Sequence, residues 1–125
     1  MFIEIDLTSS QAIFEQVVHQ VKFAIAAGAV QVNEMIPSVR ELSKDLAINP
    51  NTVVRAYRTL QEEGIVYARR GMGLAVSEDA QGRCLIERKS IFQQRFKQVF
   101  GDAARSRLES HEIREIVENL LNSVP

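Results

Sequence analysis

Two helix-start signals in the middle of the chain constrain the fold more than any other feature. Ser38 is a favourable N-cap, and Glu41 three residues later completes a capping box. Asn49 is a second N-cap, followed by Pro50 at the first helical position, where its missing N–H costs nothing. The helix that follows Ser38 ends near Ala47, so it and the helix that follows Asn49 must turn sharply on each other. A short helix, a tight turn and a longer helix form a helix-turn-helix unit.

A further helix is predicted before this unit, over residues 10–27. Ser9 or Ser10 can cap its start, and Gly28 provides a stop of the usual kind. Its apolar residues recur at spacings of three and four, as they do on one face of a helix: Ile13, Phe14, Val17, Val18, Val21, Ala24 and Ile25.

Two short β-prone runs, residues 65–69 and 74–76, follow the helix-turn-helix unit. The turn between them contains Gly71 and Gly73, which permit positive φ at the tip of a hairpin. The sequence therefore predicts a mostly α fold with a small β-hairpin over residues 1–78.

Residues 79–125 return to a helical pattern and are predicted as a two-helix segment. The first helix is expected to end at Gly101, and a polar connector continues to Ser110. Two helices provide too few walls for a ligand pocket of about 300 Å³. An effector would therefore bind at a dimer interface or not at all.

Each of the two predicted helices carries one apolar stripe. The stripes consist of Leu85, Ile91, Phe92, Phe96 and Val99, and of Ile113, Ile116, Val117, Leu120 and Leu121.

The two stripes are also too extensive to be buried well within one chain. We therefore predict that this segment forms an isologous homodimer, in which the stripes pack against their two-fold mates. The alternative is a monomer whose stripes fold back on the helix over residues 10–27. The predicted dimer interface consists of Phe92, Phe96, Val99, Ile113, Val117, Leu120 and Leu121.

The helix that begins at Pro50 has an apolar side and a polar side. At 100° per residue, Val53, Ala56, Tyr57 and Leu60 share one side, and Asn51, Arg55, Arg58 and Glu62 lie opposite. Arginine can pair with guanine in the major groove, and asparagine with adenine. The hydroxyl of Thr52, on the flank, could reach a phosphate. The alternative is an ordinary solvated face with i,i+4 charge pairs.

Two other elements carry candidate contacts to a duplex. A helix N-terminus offers N–H groups to phosphate, so Ser38 and Arg40 could hold a sugar-phosphate backbone in register. Arg69, Arg70 and Gly71 fall at the hairpin tip, where arginines can enter a minor groove or clamp a phosphate. The alternative there is a basic, solvent-exposed turn.

The charge balance shows that any binding to nucleic acid must depend on where the arginines lie. The net charge is −1, with seven basic and nine acidic residues up to Glu78 and eight against seven after it. A chain that binds nucleic acid through bulk charge is usually basic. Neither part of this chain is basic.

Composition excludes several other classes of protein. No run of about 18 apolar residues occurs, and the acidic N-terminus lacks the basic region of a signal peptide, so we expect a cytoplasmic protein. Cys84 is the single cysteine, and His19 lies far from His111, so neither a disulfide nor a metal site is expected. No histidine lies near Cys84 in sequence to activate it, so we predict no catalysis and no cofactor.

Four segments of the chain resemble the winged helix-turn-helix of GntR-type bacterial transcription regulators. They are residues 37–43 (PSVRELS), 49–60 (NPNTVVRAYRTL), 63–64 (EG) and 69–73 (RRGMG), and the match covers roughly residues 8–77. The short C-terminal segment resembles that of the YtrA-like branch. The resemblance implies a homodimer that binds double-stranded DNA and represses transcription. In many members of this branch the repressed genes encode ABC transporters.

The resemblance also implies a set of DNA contacts. Two positions depart from the usual pattern. Val54 followed by Arg55 stands where many members carry the arginine one residue earlier, and Asn33 stands where a glycine is common. The implied contacts are Ser38, Arg40, Asn51, Thr52, Arg55, Arg69 and Gly71.

A sequence-specific DNA-binding repressor is thus the leading function, and a two-fold dimer predicts an inverted-repeat operator. The second candidate is a winged helix that docks proteins and does not bind DNA. The weakly acidic balance of residues 1–78 favours it, and the exposed arginines argue against it.

Overall fold

The computed structural model describes Met1 and residues 3–125. The order of elements is that of a winged helix-turn-helix followed by two helices, which confirms the predicted fold class. The elements are α1 (Ile13–Ala26), α2 (Val39–Leu46), α3 (Pro50–Glu62), β1 (Val66–Arg69), β2 (Gly73–Val76), α4 (Ala80–Arg105) and α5 (Ser110–Ser123).

The chain divides into two compact units, Met1–Arg88 and Lys89–Pro125. In the first unit, α1 and α3 pack on each other and supply half of the buried core residues. The antiparallel hairpin pairs Val66 with Val76, and both side chains are buried in the same core. The apolar spacing of three and four on α1 and α3 explains this arrangement, because it places every core residue on one side of each helix.

Local hydrogen bonds start α2 and α3 where the sequence predicts. Ser38 Oγ accepts from the backbone N–H of Glu41 at 3.1 Å, and Glu41 Oε1 accepts from the Ser38 N–H at 3.4 Å. Asn49 Oδ1 accepts from the N–H of Asn51 at 2.9 Å. Between the helices, Ala47 takes a left-handed conformation with φ of 52°. The predicted caps and sharp turn are confirmed.

The predicted start of α1 is wrong by three residues. The helix begins at Ile13 after Ala12, without a side-chain cap, and Ser9 Oγ instead accepts from the N–H of Gln11 at 3.1 Å. The residues before it form a turn of their own, in which an Asp6 carboxylate oxygen accepts from the N–H of Thr8 at 2.9 Å. Ser9 is engaged in this turn and does not cap the helix.

The predicted end of the helix at Gly101 is also wrong, because α4 continues to Arg105. A helical glycine costs only about 1 kcal/mol relative to alanine, which its helix-forming neighbours offset. Two residues after this end, Arg107 takes a left-handed conformation with φ of 74°, and the N–H of Leu108 bonds back to the carbonyl of Ala103 at 3.1 Å.

The first turns of α4 belong to the N-terminal unit. Ala80 and Cys84 are fully buried in its core, so this unit extends to Arg88. The functional boundary after Glu78 remains a prediction.

Burial gives Cys84 a measurable effect on alkaline stability. Burial, and secondarily the negative charge of Glu87, raises the pKa of the Cys84 thiol from 9.0 to about 11. The unfolded chain therefore loses this proton at lower pH than the folded chain. We expect the thiol's contribution to the free energy of unfolding to be constant below pH 9 and to fall by at most about 3 kcal/mol towards pH 11.

The measurement is urea unfolding at a series of pH values for the wild type and for Cys84→Ala. The variant is less stable at neutral pH because it loses buried atoms, but it lacks this alkaline loss, so the two curves converge above pH 9. Parallel curves would contradict the prediction.

The C-terminal unit exposes most of its apolar side chains. Of the predicted dimer residues, Ile113 and Val117 are half-buried, and Phe92, Phe96, Val99, Leu120 and Leu121 are exposed in the single chain. Such contiguous apolar surface is typical of an interaction site.

Neither histidine lies in a metal-binding group. His19 Nδ1 is hydrogen-bonded to Gln11 Nε2 at 2.7 Å, and His111 Nδ1 lies 3.4 Å from Glu109 Oε2. Among the described residues, no three His, Cys, Asp or Glu side chains gather where they could hold a metal ion. In the same part of the chain, no helix combines the length and hydropathy needed to cross a bilayer.

Candidate nucleic-acid interface

Helix α3 presents one polar side while its opposite side is fixed in the core. Val53, Ala56, Tyr57 and Leu60 are buried, as predicted. Asn51, Arg55 and Arg58 are exposed, and Thr52 is half-buried on the flank. Because the apolar side anchors the helix, the polar side chains project from a rigid support.

Tyr57 fixes the angle between the two helices of the helix-turn-helix. Its hydroxyl donates to the carbonyl oxygen of Pro37 at 2.7 Å, immediately before α2. Burial, with a smaller effect from the charge of Glu41, raises the pKa of Tyr57, so the hydroxyl stays neutral and remains a donor. The start of α2 is thereby held against the middle of α3.

The start of α2 is open to solvent. Ser38 and Arg40 are both exposed. The Ser38 hydroxyl accepts the capping bond and keeps its own proton, which it can donate to a phosphate oxygen. Arg40 adds a cation beside the positive end of the helix dipole, so both groups suit an anion.

The hairpin forms a narrow wing with an open tip. The N–H of Met72 donates to the carbonyl of Arg69 at 2.9 Å, closing the turn. Gly71 has φ of +74°, and a Cβ added there would meet nothing within 4 Å. The backbone at Gly71 can therefore approach another surface closely, and Arg70 beside it is exposed.

The sequence analysis placed Arg69 at the hairpin tip. In the structure its side chain lies at the base of the turn and is hydrogen-bonded there. Its Nη1 donates to the carbonyl of Asn33 at 3.1 Å. Asn33, with φ of 66°, also accepts from the Tyr67 hydroxyl through Oδ1 at 2.8 Å and donates its N–H to Val76 at 2.8 Å. The position where glycine is common thus keeps a positive φ and ties the connector to the wing.

One feature of the polar surface escaped sequence reasoning. The guanidinium carbon of Arg55 lies 3.6 Å from the centroid of the Phe14 ring. The apolar periodicity of α1 indicated Phe14 only as a core residue. No signal within α1 reveals the contact, since it depends on how α1 packs against α3.

The exposed cations come from three elements of one compact unit: α3, the start of α2 and the wing. A helix with exposed Arg and Asn side chains is suited to base edges, and the other two elements are suited to phosphates or a minor groove. This division of contacts is typical of proteins that read duplex DNA.

Comparison with known proteins gives a consistent family. The family model described as "Bacterial regulatory proteins, gntR family" matches residues 13–76. The HTH-type transcriptional repressor YtrA of Bacillus subtilis is 34% identical over 118 residues, which cover 94% of this chain and 91% of that protein.

Solved structures agree with this match. A GntR family transcriptional regulator from Listeria monocytogenes superposes with a TM-score of 0.71 at 29% identity, covering 90% of this chain and 98% of that one. YtrA from Sulfolobus acidocaldarius, a GntR-family transcription factor, gives 0.60 at 30% identity, covering 74% and 95%. The chain belongs to the GntR family of bacterial regulatory proteins and is a DNA-binding transcription regulator rather than an enzyme.

Proposed function

We propose that the protein is a cytoplasmic, homodimeric repressor that binds an inverted-repeat operator in double-stranded DNA. The observation that carries the proposal is α3, whose apolar side is buried while Asn51, Arg55 and Arg58 are exposed. The Bacillus subtilis relative is a transcriptional repressor, which supports repression over activation.

Each part of the surface takes a distinct role in this proposal. In the major groove, Arg55 and Arg58 pair with guanines and Asn51 with adenine, while Thr52 donates to a phosphate. Ser38 and Arg40 hold the backbone in register. The wing enters the minor groove through Arg70 and Gly71, and Arg69 sets its position and directs its remaining N–H groups to a phosphate.

The dimer follows from the exposed apolar surface of the C-terminal unit. Packing Phe92, Phe96, Val99, Ile113, Val117, Leu120 and Leu121 against a second copy removes this surface from water and relates two α3 helices by a two-fold axis. The operator is then an inverted repeat with half-sites about one helical turn, or a multiple of it, apart. Given the resemblance to YtrA-like regulators, genes of an ABC transporter are the first targets to examine.

Arg55→Ala tests the function most directly. Selection from random duplexes gives the operator, and fluorescence anisotropy gives the affinity. Loss of one bidentate guanine pair in each half-site should weaken operator binding by about 1–3 kcal/mol per half-site, roughly 5- to 150-fold for each, and relax the base preference at one position of each half-site. Operator binding as tight as that of the wild type would refute the assignment of this face.

Arg40→Ala is the matched control, because it removes one exposed arginine from the other helix of the unit. A phosphate contact carries no base information, so binding should weaken equally on all sequences. The slope of log affinity against log salt should fall by about one for each protomer, hence by about two for the dimer. A wild-type protein that binds no duplex at low salt would instead favour the protein-docking alternative.

A further inference from the structure

We propose that Phe14 is a positioning residue for DNA recognition: its ring holds the guanidinium of Arg55 in the orientation in which Arg55 meets the operator. The proposal stands on the 3.6 Å separation between the guanidinium carbon and the ring centroid. It rests on the proposed role of Arg55 as a base-reading residue, and it adds a residue outside the helix-turn-helix to that role.

The stacked geometry leaves Arg55 able to bind. A guanidinium carries its five N–H donors in its own plane, so contact through the face leaves the donating edge free. Within the described residues, the Arg55 side chain makes no ion pair and no side-chain hydrogen bond, although its backbone carbonyl accepts from Thr59. The ring therefore holds the cation without using the donors that a guanine would accept.

The ring is the fixed partner in this contact. Phe14 is half-buried and packs against the core, and it lies in the first turn of α1, whose next turn includes the buried Val17 and Val18. Arg55 is exposed on α3. Since α1 and α3 are packed together, the ring has a defined position relative to the recognition helix, and the flexible arginine adapts to it.

Stacking reduces the conformational freedom that Arg55 loses when it docks. A long side chain that is already restricted before binding pays a smaller entropic penalty in the complex. Cation–π contacts at exposed sites correspond to a factor of roughly 2–5 in an equilibrium constant. Arg58 is exposed on the same helix and has no ring contact within the described residues. The base preference at the position that Arg58 contacts is therefore the internal comparison, which loss of the ring should leave unchanged.

Phe14→Leu removes the ring and keeps an apolar side chain against the core. We expect operator affinity to fall about 2- to 5-fold for each half-site. The base preference should weaken only at the position that Arg55→Ala also relaxes. Phe14→Tyr, which keeps an aromatic face, should restore both. A defect in folding would weaken every position alike, so the pattern of base preference separates positioning from a structural effect.

A double-mutant cycle completes the test. In an Arg55→Ala background, Phe14→Leu should have no further effect on affinity. Equal losses in both backgrounds, or a Phe14→Leu protein with wild-type affinity and base preference, would overturn the positioning role while leaving Arg55 as a DNA contact. An Arg55→Ala protein with wild-type affinity would overturn the proposed role of Arg55 and the positioning role with it. In the free protein, the upfield ring-current shift of the Arg55 side-chain protons should disappear in Phe14→Leu, and a shift that is unchanged would exclude the stack.

Discussion

Phe96→Asp should abolish dimer formation and weaken operator binding by about 100-fold or more. Phe96 is 59% exposed in the single chain and lies in the apolar surface that we propose to pack across the two-fold axis. In an isologous interface one substitution acts twice, so two carboxylates replace two buried rings near each other. The measurements are sedimentation equilibrium and anisotropy on the full operator.

The size of this effect follows from effective concentration. Two linked recognition helices bind two half-sites with an affinity that exceeds that of one helix by a factor of roughly 10²–10⁴, without any new contact to DNA. A monomer retains the contacts to one half-site. Phe96→Asp should therefore bind a single half-site as well as one wild-type protomer does and lose only the gain from linkage.

Ile86→Asp is the matched control. Ile86 is also on α4 and is 76% exposed, but it lies outside the predicted interface. The control should remain a dimer and bind the operator like the wild type. A wild-type protein that sediments only as a 14.1 kDa species at micromolar concentration would contradict the dimer itself.

The parts of this fold that sequence predicts well are those determined within a few residues. The caps at Ser38 and Asn49 depend on neighbours two or three positions away, so composition and spacing reveal them. The buried side of α3 is equally local, because the helical period places Val53 and Leu60 on one side whatever they pack against. These features suffice to point to α3 as the helix that we propose to read the operator.

The parts that sequence missed depend on distant segments. Arg69 is held by Asn33, which is 36 positions away, and Arg55 lies on a ring of another helix. Neither contact has a periodic signature, since each depends on how packed elements place two side chains. Ser9 failed as a cap for a different reason, because its hydroxyl accepts from the N–H of Gln11 in a turn that begins at Asp6.

An ion cluster around a buried lysine is the third feature of this kind, and it joins three helices of the N-terminal unit. Lys22 of α1 has a side chain only 7% exposed, and its Nζ lies 3.0 Å from Glu63 Oε1 and 2.8 Å from Glu87 Oε2. Glu63 follows the last residue of α3, and Glu87 is on α4. Arg83 of α4 adds a bond from Nη2 to the carbonyl of Glu63 at 2.6 Å.

The two carboxylates keep this lysine charged. Burial lowers the pKa of Lys22, but the hydrogen bonds and charges of Glu87 and Glu63 outweigh it and raise the pKa above 10.5. A raised pKa in a base means that its stabilising contribution is complete below the unfolded-state value and is lost as pH rises through the folded-state value. At neutral pH the cluster therefore contributes fully.

Replacing both carboxylates, in Glu63→Gln/Glu87→Gln, should lower the free energy of unfolding by about 3–5 kcal/mol at pH 7, because a buried cation then lacks a counter-charge. Each single variant keeps one carboxylate and should lose much less than half of this amount. The measurement is urea unfolding followed by circular dichroism. The deficit should narrow below pH 10.5, where the unpaired and buried lysine of the variant loses its proton, and should narrow further above pH 10.5, where the wild type loses its ion pairs.

Two further variants separate charge pairing from general damage. Glu62→Gln removes an exposed carboxylate one residue from Glu63 and should change stability by less than about 0.5 kcal/mol. Lys22→Met added to the double variant removes the unpaired charge and should recover most of the lost stability, since apolar groups often replace a buried ion cluster without cost. A double variant as stable as the wild type, or one that Lys22→Met destabilises further, would show that pairing of Lys22 does not hold α1, α3 and α4 together.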